Sequence, residues 1–393
     1  MVRSLASNAL TFIIVVLLGV AGMITWAQQA YTGAGPLAQP ICVRVDKGAT
    51  VASMSKVLLG QGAISNAMLF RLGANYTGDG EGLKFGSYLV KPGASMRDIL
   101  GTLTKGGQST CGTEVNFRIG VTDSQMVVRT LDPATEAFVE VAKFDPAAGA
   151  APPEYAAAER QPDTRYRVTL AEGVTSWQVV NALKSADFLS GTVAKVPDEG
   201  SLQPDSYDVS RDESRVQLVT EMQARQTATL AELWAGRAAG LPYKTPQEAL
   251  VMASLVEKET GVPEERPLVA SVFLNRLAQG IKLQTDPAVI YGITKGQGTL
   301  GRGLRQSELR ANTPYNTYAI DGLPPTPIAN PGRAAIAAAL HPADTKYLYF
   351  VAKGLDPSAG HVFAETLAEH NLNVARLRAL EAAQGKAPDA AGN

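Results

Sequence analysis

The stretch ALVMASLVEKETGVPEERPLVASVFLNRLAQGIKLQTDPAVIYGI, from Ala249 to Ile293, carries the densest patterning in the chain. Its first part has the apolar spacing of a helix. Gly261 and Pro263 are residue types that commonly follow the end of a helix, so the helix is expected to end near Thr260. The stretch therefore predicts a helix that stops within the tetrapeptide EKET.

The helical phase of this segment separates its two acidic residues. At about 100° per residue, one face carries three apolar residues, Met252, Leu255 and Val256. Glu259 falls on that face, whereas Glu257 points almost the opposite way. A carboxylic acid on an apolar face is desolvated, which raises its pKa toward that of a general acid. We therefore predict Glu259 as an acid/base and expect Glu257 and Lys258 to face water or a neighbouring ion pair. A structural hydrogen bond is the alternative role for Glu259.

Polar residues interrupted by aromatic ones follow this helix, in the segments LQTDP, TPYNTY and GLPPTPIANPG. Each of these residues alone is typical of a turn. Together they offer hydrogen-bonding edges and flat faces on proline-stiffened loops, as a sugar-binding cleft requires. The candidate substrate-binding residues are Gln284, Thr285, Asp286, Tyr291, Tyr315, Asn316 and Tyr318.

Other catalytic schemes find little support in the sequence. The three histidines lack HExxH spacing, neither cysteine lies in a metal-binding pattern, and no GxSxG or Walker A segment occurs. We therefore predict neither a metal site nor a cofactor. The net charge of -1 and the pI near 6.4 also argue against nucleic acid as a partner.

The N-terminal run from Ala9 to Trp26 is 18 residues long and uncharged, close to the roughly 20 residues needed to cross a bilayer. It predicts a single-pass anchor that contacts the membrane through residues 9–27. Arg3 on its near side places residues 1–8 in the cytoplasm and the bulk of the chain outside. A cleaved signal peptide is the alternative. Cys42 and Cys111 could pair after export, but two cysteines leave this open.

Three segments share one pattern, VDKGATVASMSKVL from Val45, VKPGASMRDILGTL from Val90 and LAEGVTSWQVVNAL from Leu170. Each predicts a turn at a glycine followed by a capped helix, with Thr50, Ser95 and Thr175 as the N-caps. The first two make residues 40–107 a compact module of the kind seen in LysM-like glycan-binding folds. Ordinary strand-to-helix turns that bind no ligand are the alternative.

The predicted fold class is α+β, with a transmembrane helix, a small βα module and a larger mixed α/β domain. The expected parts are a cytoplasmic tip and anchor at 1–30, the module at 40–107, an insertion with an Ala/Pro-rich linker at 108–165, the larger domain at 166–380 and a disordered tail at 381–393. Within the insertion, residues 114–144 read as strands and Asp145–Thr164 as a flexible linker.

Eight motifs in order give the chain a family resemblance. They are LQPDSY, ASLVEKET, VASVFLNRL, LQTDPAVIYG, TPYNTY, GLPPTPIANPG, HPADTKYLYFVAKG and HVFAETLAEHN. The sequence resembles the YceG-like (MltG) endolytic murein transglycosylases over the anchor, the module and most of residues 166–377. The segment from 112 to 165 looks longer than this resemblance leads one to expect.

The resemblance implies a catalytic domain in residues 166–380 and a bacterial inner-membrane protein that cleaves nascent glycan strands. The Glu of its Glu-Thr pair is expected to be catalytic, which carries that role onto Glu259. The products would be 1,6-anhydro ends, and peptidoglycan synthases are candidate partners. Two alternatives stay open: a membrane-tethered glycan-binding scaffold without activity, and a muramidase that uses Asp286 as its second carboxylate.

Overall fold

The computed structural model describes residues 2–46, 48–78, 82–105 and 110–385. It has the predicted mixture of helices and strands. The helices are α1 (Val2–Thr32), α2 (Val51–Gly60), α3 (Ala67–Thr77), α4 (Met96–Lys105), α5 (Pro153–Arg160), α6 (Ser176–Leu183), α7 (Arg215–Ala235), α8 (Pro246–Glu259), α9 (Arg266–Ala278), α10 (Asp286–Thr294), α11 (Gln306–Arg310), α12 (Arg333–Leu340) and α13 (Leu367–Ala383). The strands are β1 (Ile41–Val45), β2 (Gly86–Val90), β3 (Thr113–Ile119), β4 (Ser124–Asp132), β5 (Ala137–Phe144), β6 (Arg165–Leu170), β7 (Leu189–Ser190), β8 (Ser206–Val209), β9 (Glu213–Ser214), β10 (Tyr349–Ala352) and β11 (His361–Ala364).

The chain divides into two compact units. Unit 1 comprises Met1–Val115, Val127–Lys143 and Ala151–Arg165, and unit 2 comprises Asn116–Met126, Phe144–Ala150 and Tyr166–Asn393. Within unit 2, β6 and β8 pair antiparallel, with Tyr166 opposite Val209.

Unit 1 contains the elements β1, α2, α3, β2 and α4 in that order. β1 and β2 pair antiparallel, with Ile41 opposite Val90. Their inward side chains and those of the three helices form a core that includes Val43, Leu58 and Phe70, none of which is exposed. A disulfide joins Cys42 of β1 to Cys111, with a Cα–Cα distance of 5.7 Å, so the two cysteines pair.

The three glycine turns adopt one backbone conformation. Gly48, Gly93 and Gly173 have φ values of 77°, 68° and 77°, in the left-handed region that favours glycine. Thr50 and Thr175 cap α2 and α6 as predicted, each with a capping box. Before α4, the hydroxyl of Ser95 accepts from the Asp98 N–H at 3.1 Å. The predicted turn-and-cap pattern is therefore confirmed at all three places.

Helix α1 combines an exposed apolar part with a packed end. Among the described residues, it is the one helix long and apolar enough to cross a membrane, over Thr11–Thr32. Its side chains are exposed from Thr11 to Trp26. Tyr31 is then buried at 9% exposure against Gly73 of α3, where a Cβ atom would lie 2.1 Å from the tyrosine ring. The last turn of α1 is thus part of the core of unit 1.

The predicted linker and tail both differ from the structure. Pro153–Arg160 within the Ala/Pro-rich segment forms α5, with Tyr155 and Ala158 buried, so the linker prediction is wrong there. The prolines precede the helix and occupy its first turn, where the missing N–H costs nothing. The predicted tail begins inside α13, which continues to Ala383, and residues 386–393 lie outside the described residues.

Unit 2 is organised around α8. Its core cluster includes Met252, Leu255 and Phe273, each at most 1% exposed, and it also takes side chains from α10 and α12. The hydroxyl of Ser254 inside α8 accepts from the Ile328 N–H at 3.0 Å, which ties the proline-rich loop to this helix. The position of the C-terminal end of α8 is consequently fixed on several sides.

Candidate active site

Glu259 is the last residue of α8. The helix begins after Thr245, whose hydroxyl accepts from the Glu248 N–H at 3.2 Å, and Pro246 occupies its first position. It ends because Thr260 is extended, with φ -140° and ψ 132°. The carboxyl group of Glu259 therefore lies at the negative end of the helix dipole, which disfavours its charged form.

Helical phase does not separate the two acids by exposure as the sequence predicted. Every residue of α8 from Ala249 to Val256 is buried, so this part of the helix has no solvent-facing side. The Glu257 side chain is only 6% exposed and Lys258 is partly buried, so the expectation that they face water is wrong. The ion pair named as the alternative is present, since Glu257 lies 3.6 Å from Arg266.

The carboxyl group of Glu259 is partly buried, and its Oε1 accepts a hydrogen bond from the hydroxyl of Thr285. Burial raises the pKa of Glu259 to about 7, and the nearby carboxylate of Asp286 acts in the same direction. The hydrogen bond from Thr285 and the charge of Arg276 act against this rise. A carboxyl group with this pKa can both donate and accept a proton near neutral pH.

Thr285 is held in place by Thr317. The Thr285 N–H donates to the Thr317 hydroxyl at 2.9 Å, and that hydroxyl donates to the Thr285 carbonyl at 3.0 Å. Gln284, immediately before, has φ 53°, a left-handed backbone that is uncommon for residues other than glycine. The loop that presents Thr285 to Glu259 is thus fixed by both backbone and side-chain contacts.

Arg276 of α9 supplies the positive charge near Glu259. Its guanidinium donates to the carbonyls of Leu283 at 3.0 Å and Leu348 at 2.6 Å and to Gln284 Oε1 at 3.1 Å. Arg276 is only 9% exposed, and burial lowers the pKa of its guanidinium. Arg276 therefore anchors the Gln284 loop and places a cation behind it.

Asp286 is the second carboxylate near Glu259. It begins α10, and Tyr318 donates to its Oδ1 at 2.7 Å. Burial raises the pKa of Asp286, and the hydrogen bond from Tyr318 acts against that rise. Two carboxyl groups and one buried guanidinium thus share a small region, which favours keeping one carboxyl group protonated.

The turn after Glu259 is held by a chain of three side chains. The Thr260 hydroxyl donates to Glu265 Oε2 at 3.1 Å, and Glu265 also accepts from the backbone N–H of His361 at 2.6 Å. The Nδ1 atom of His361 lies 2.7 Å from Glu265 Oε2. Gly360 has φ 76°, in the left-handed region that favours glycine, and a Cβ atom there would lie 2.2 Å from the Glu265 carboxylate. The strand β11 is thereby attached to the end of α8.

Glu257, two residues before Glu259, has partners of a different kind. Its Oε2 accepts from the Gly332 N–H at 2.9 Å, at the N-terminus of α12, and Arg266 supplies a positive charge. Burial raises the pKa of Glu257, whereas the Gly332 N–H and Arg266 oppose that rise. These partners stabilise the carboxylate form.

A cleft of about 970 Å³ is lined by Tyr291, Tyr315 and the proline-rich loop from Leu323 to Pro327. The two tyrosine rings lie 5.1 Å apart at 58°. Tyr291 donates to Glu199 Oε2 at 3.1 Å, and burial raises the pKa of Glu199. Glu259 does not line this cleft, but α10 connects the two places, because Tyr291 follows Asp286 by about 7.5 Å along the helix axis.

Asn316 was predicted to contact substrate, and the structure contradicts this. The residue is fully buried, and its amide nitrogen donates to the carbonyls of Glu308, Leu309 and Ala311. Its Oδ1 accepts from the Tyr318 N–H at 3.0 Å. With both ends of the amide engaged in loop contacts, Asn316 shapes the loop that carries Tyr318.

The sequence-predicted residues thus fall into two groups. Around Glu259 the structure brings together Gln284, Thr285, Asp286 and Tyr318. Tyr291 and Tyr315 instead line the cleft. The sequence analysis missed three residues of the site. Arg276 contributes the positive charge, Thr317 supports Thr285, and Glu199 forms an acidic part of the cleft wall. The first two occur inside motifs already noted, VASVFLNRL and TPYNTY, whereas Glu199 carried no signal.

Comparison with known proteins gives the relatives of this chain. An endolytic murein transglycosylase of Bacillus subtilis is 28% identical over 336 residues, covering 84% of this chain and 82% of that protein. One from Streptococcus pneumoniae strain D39 is 27% identical over 358 residues, covering 85% of this chain but 58% of that protein. The crystal structure of a YceG-like protein from Listeria monocytogenes matches with a TM-score of 0.45 and 24% identity, over 85% of this chain and 98% of that one.

The YceG-like family model matches residues 43–376, which include both groups of site residues and most of the described chain. The chain belongs to the YceG-like family.

Proposed function

We propose that this chain is an endolytic murein transglycosylase with Glu259 as its catalytic acid and base. The observation that carries the proposal is the carboxyl group at the end of α8, whose pKa is raised to about 7 beside Thr285. The names of the relatives from Bacillus and Streptococcus supply the reaction class. The contacts around Glu259 indicate which residues would carry out that reaction.

The first step would be protonation of the glycosidic oxygen between N-acetylmuramic acid and N-acetylglucosamine. Thr285 donates to Oε1 of Glu259, so Oε1 is occupied as an acceptor and Oε2 is left to carry the proton. Asp286 favours the protonated form before the reaction. The bond to C1 then breaks through an oxocarbenium-like state.

The second step would return the proton to Glu259. Its carboxylate takes the proton of the 6-hydroxyl of the muramic acid, whose oxygen attacks C1 and closes a 1,6-anhydro ring. Arg276 stabilises the carboxylate that exists between the two steps. Glu259 thus gives one proton in the first step and takes one in the second, so it returns to its starting state and no water is consumed.

Substrate binding is proposed for the residues around both places. Gln284 and Tyr318 would orient the sugar that reacts, while the faces of Tyr291 and Tyr315 would stack against a sugar further along the strand. Thr285 and Asp286 contact or influence Glu259 itself, and their role is to set its orientation and proton affinity.

The N-terminal part is proposed to hold the enzyme at the cytoplasmic membrane. Helix α1 would span the bilayer once through residues 9–27, and an extracytoplasmic location of unit 1 suits the Cys42–Cys111 disulfide, because disulfides persist in oxidising compartments. The order β1-α2-α3-β2 with an antiparallel strand pair supports a LysM-like role in binding glycan for residues 40–107.

Digestion of purified peptidoglycan with the full chain in detergent tests the proposed reaction, with products analysed by mass spectrometry. We expect internal cleavage of strands with 1,6-anhydro-muramic ends. Reducing ends in their place would indicate a muramidase that uses Asp286. Binding of glycan without any cleavage would indicate an inactive scaffold.

A further inference from the structure

The end of α1 leaves no spacer between its apolar part and the folded core of unit 1. Side chains of α1 are exposed as far as Trp26, and Tyr31 is already buried against Gly73 of α3. With a rise of 1.5 Å per residue, these two positions are separated by about 7.5 Å along the axis. The packing therefore begins almost where the apolar part of the helix ends.

The bilayer sets the scale for this distance. Its hydrocarbon core is about 30 Å thick and its full thickness about 40–45 Å, so the headgroup layer on each side measures roughly 5–7.5 Å. If Trp26 lies at the outer interface, as its residue type favours, the contact between Tyr31 and Gly73 lies at the top of that layer. Part of α3 must then lie at headgroup depth.

α3 carries an exposed apolar stripe beside this contact. Met68, Leu72 and Tyr76 recur at intervals of four residues, which places them on one ridge of the helix. Their exposed fractions are 63%, 53% and 90%. Leu72 precedes Gly73 directly, and Tyr76 is one turn away. A row of this kind is unusual on a surface that meets only water, because an apolar side chain gains about 25 cal/mol for each Å² withdrawn from it.

We propose that the stripe Met68, Leu72 and Tyr76 inserts into the interfacial layer of the outer membrane leaflet, so that unit 1 lies directly on the lipid surface. This inference rests on the proposed membrane span of α1. Tyr76 suits the interface because its ring is apolar and its hydroxyl can remain among the headgroups. Unit 1 would then have two membrane contacts, the span and the stripe.

Spin labels on the full chain in vesicles of phosphatidylethanolamine and phosphatidylglycerol test this. Single cysteines at positions 72, 76, 17 and 140 are labelled with the native disulfide intact. Leu17 lies in the proposed span, and Glu140 is exposed on β5 of unit 1, so they are the lipid and water references. Leu72 and Tyr76 are exposed, so Leu72→Cys and Tyr76→Cys leave the core unchanged and each checks the other.

We expect the labels at 72 and 76 to be several-fold less accessible to a water-soluble nickel chelate than the label at 140, and more accessible to oxygen. Equal nickel accessibility at 72, 76 and 140 overturns the inference. If position 17 is embedded in that case, the span itself stands; if position 17 is also in water, the span fails as well. Spin–spin broadening at 72 that grows with protein density would assign the stripe to a second copy instead and also overturn the inference.

Discussion

Glu257 and Glu259 are two residues apart on one helix and burial raises the pKa of both, but the groups beside them differ. Glu257 meets Arg266 and the N-terminus of α12, both of which stabilise a negative charge. Glu259 lies at the negative end of α8 beside Asp286 and receives one neutral donor, Thr285. Both are desolvated. Burial alone therefore does not identify a catalytic acid, and the two carboxyl groups are distinguished by the groups that contact them.

The largest effect is expected for Glu259→Gln. The amide can neither give nor take the proton, so the rate of strand cleavage should fall by about 10²- to 10⁴-fold, the usual contribution of general acid–base catalysis. Quantifying 1,6-anhydro products from peptidoglycan measures this, with circular dichroism to confirm an unchanged fold. Full cleavage by a folded Glu259→Gln would show that Glu259 is not the catalytic acid, the role that distinguishes it from Glu257.

Glu257→Gln is the matched control on the same helix. It removes the buried negative charge that the Gly332 N–H and Arg266 face, so the free energy of unfolding should drop by about 1–3 kcal/mol while cleavage at low temperature persists. Thermal unfolding and the same product assay measure the two quantities. Lost cleavage in a folded protein would mean that the roles of the two acids are reversed.

Asp286→Asn should alter the pH dependence of cleavage. The unchanged protein needs protonated Glu259, whose pKa is about 7, so its activity should decline as the pH rises above 7. The Asp286 carboxylate raises that pKa, and its removal lowers it, so the decline should begin at lower pH and the rate above pH 7 should fall a few-fold. A pH–rate profile decides this, because loss of cleavage at every pH would instead make Asp286 the second carboxylate of a hydrolase.

Thr285→Val is expected to have the smallest effect, with the opposite sign. Its hydroxyl lowers the pKa of Glu259, so removing it should move the decline of activity to higher pH. A pH–rate profile in parallel with that of Asp286→Asn measures the difference. If both variants shift the profile in the same direction, the opposite effects proposed for Asp286 and Thr285 on the pKa of Glu259 are wrong.

Local signals made much of the fold predictable. The end of α8 follows from Gly261 and Pro263, and the three left-handed turns follow from glycine before a capping hydroxyl. The same reasoning misjudged α5, because its alanine-rich helix follows prolines that resemble a linker. The exposure of Glu257 was also misjudged, because a helix buried on every side has no apolar face to distinguish.

The site was predictable only where its residues are close in sequence. Thr285 and Asp286 stand in one motif with obvious polar character, and the structure brings both to Glu259. Arg276 was missed because its role depends on contacts such as the carbonyl of Leu348, 72 residues away. Asn316 was misassigned because a polar side chain in a loop looks the same in sequence whether it binds a ligand or the loop itself.

The packing of Tyr31 on Gly73 has a mechanical consequence. Because α1 continues without a break to Thr32 and its last turn is part of the core, the rest of unit 1 and α1 should reorient together. A helix tilts more in a thinner bilayer, to match its apolar length to the lipid. In the proposed arrangement, with α1 spanning the bilayer, the thickness of the membrane would therefore set the tilt of unit 1, and lipid composition would influence the geometry of the protein.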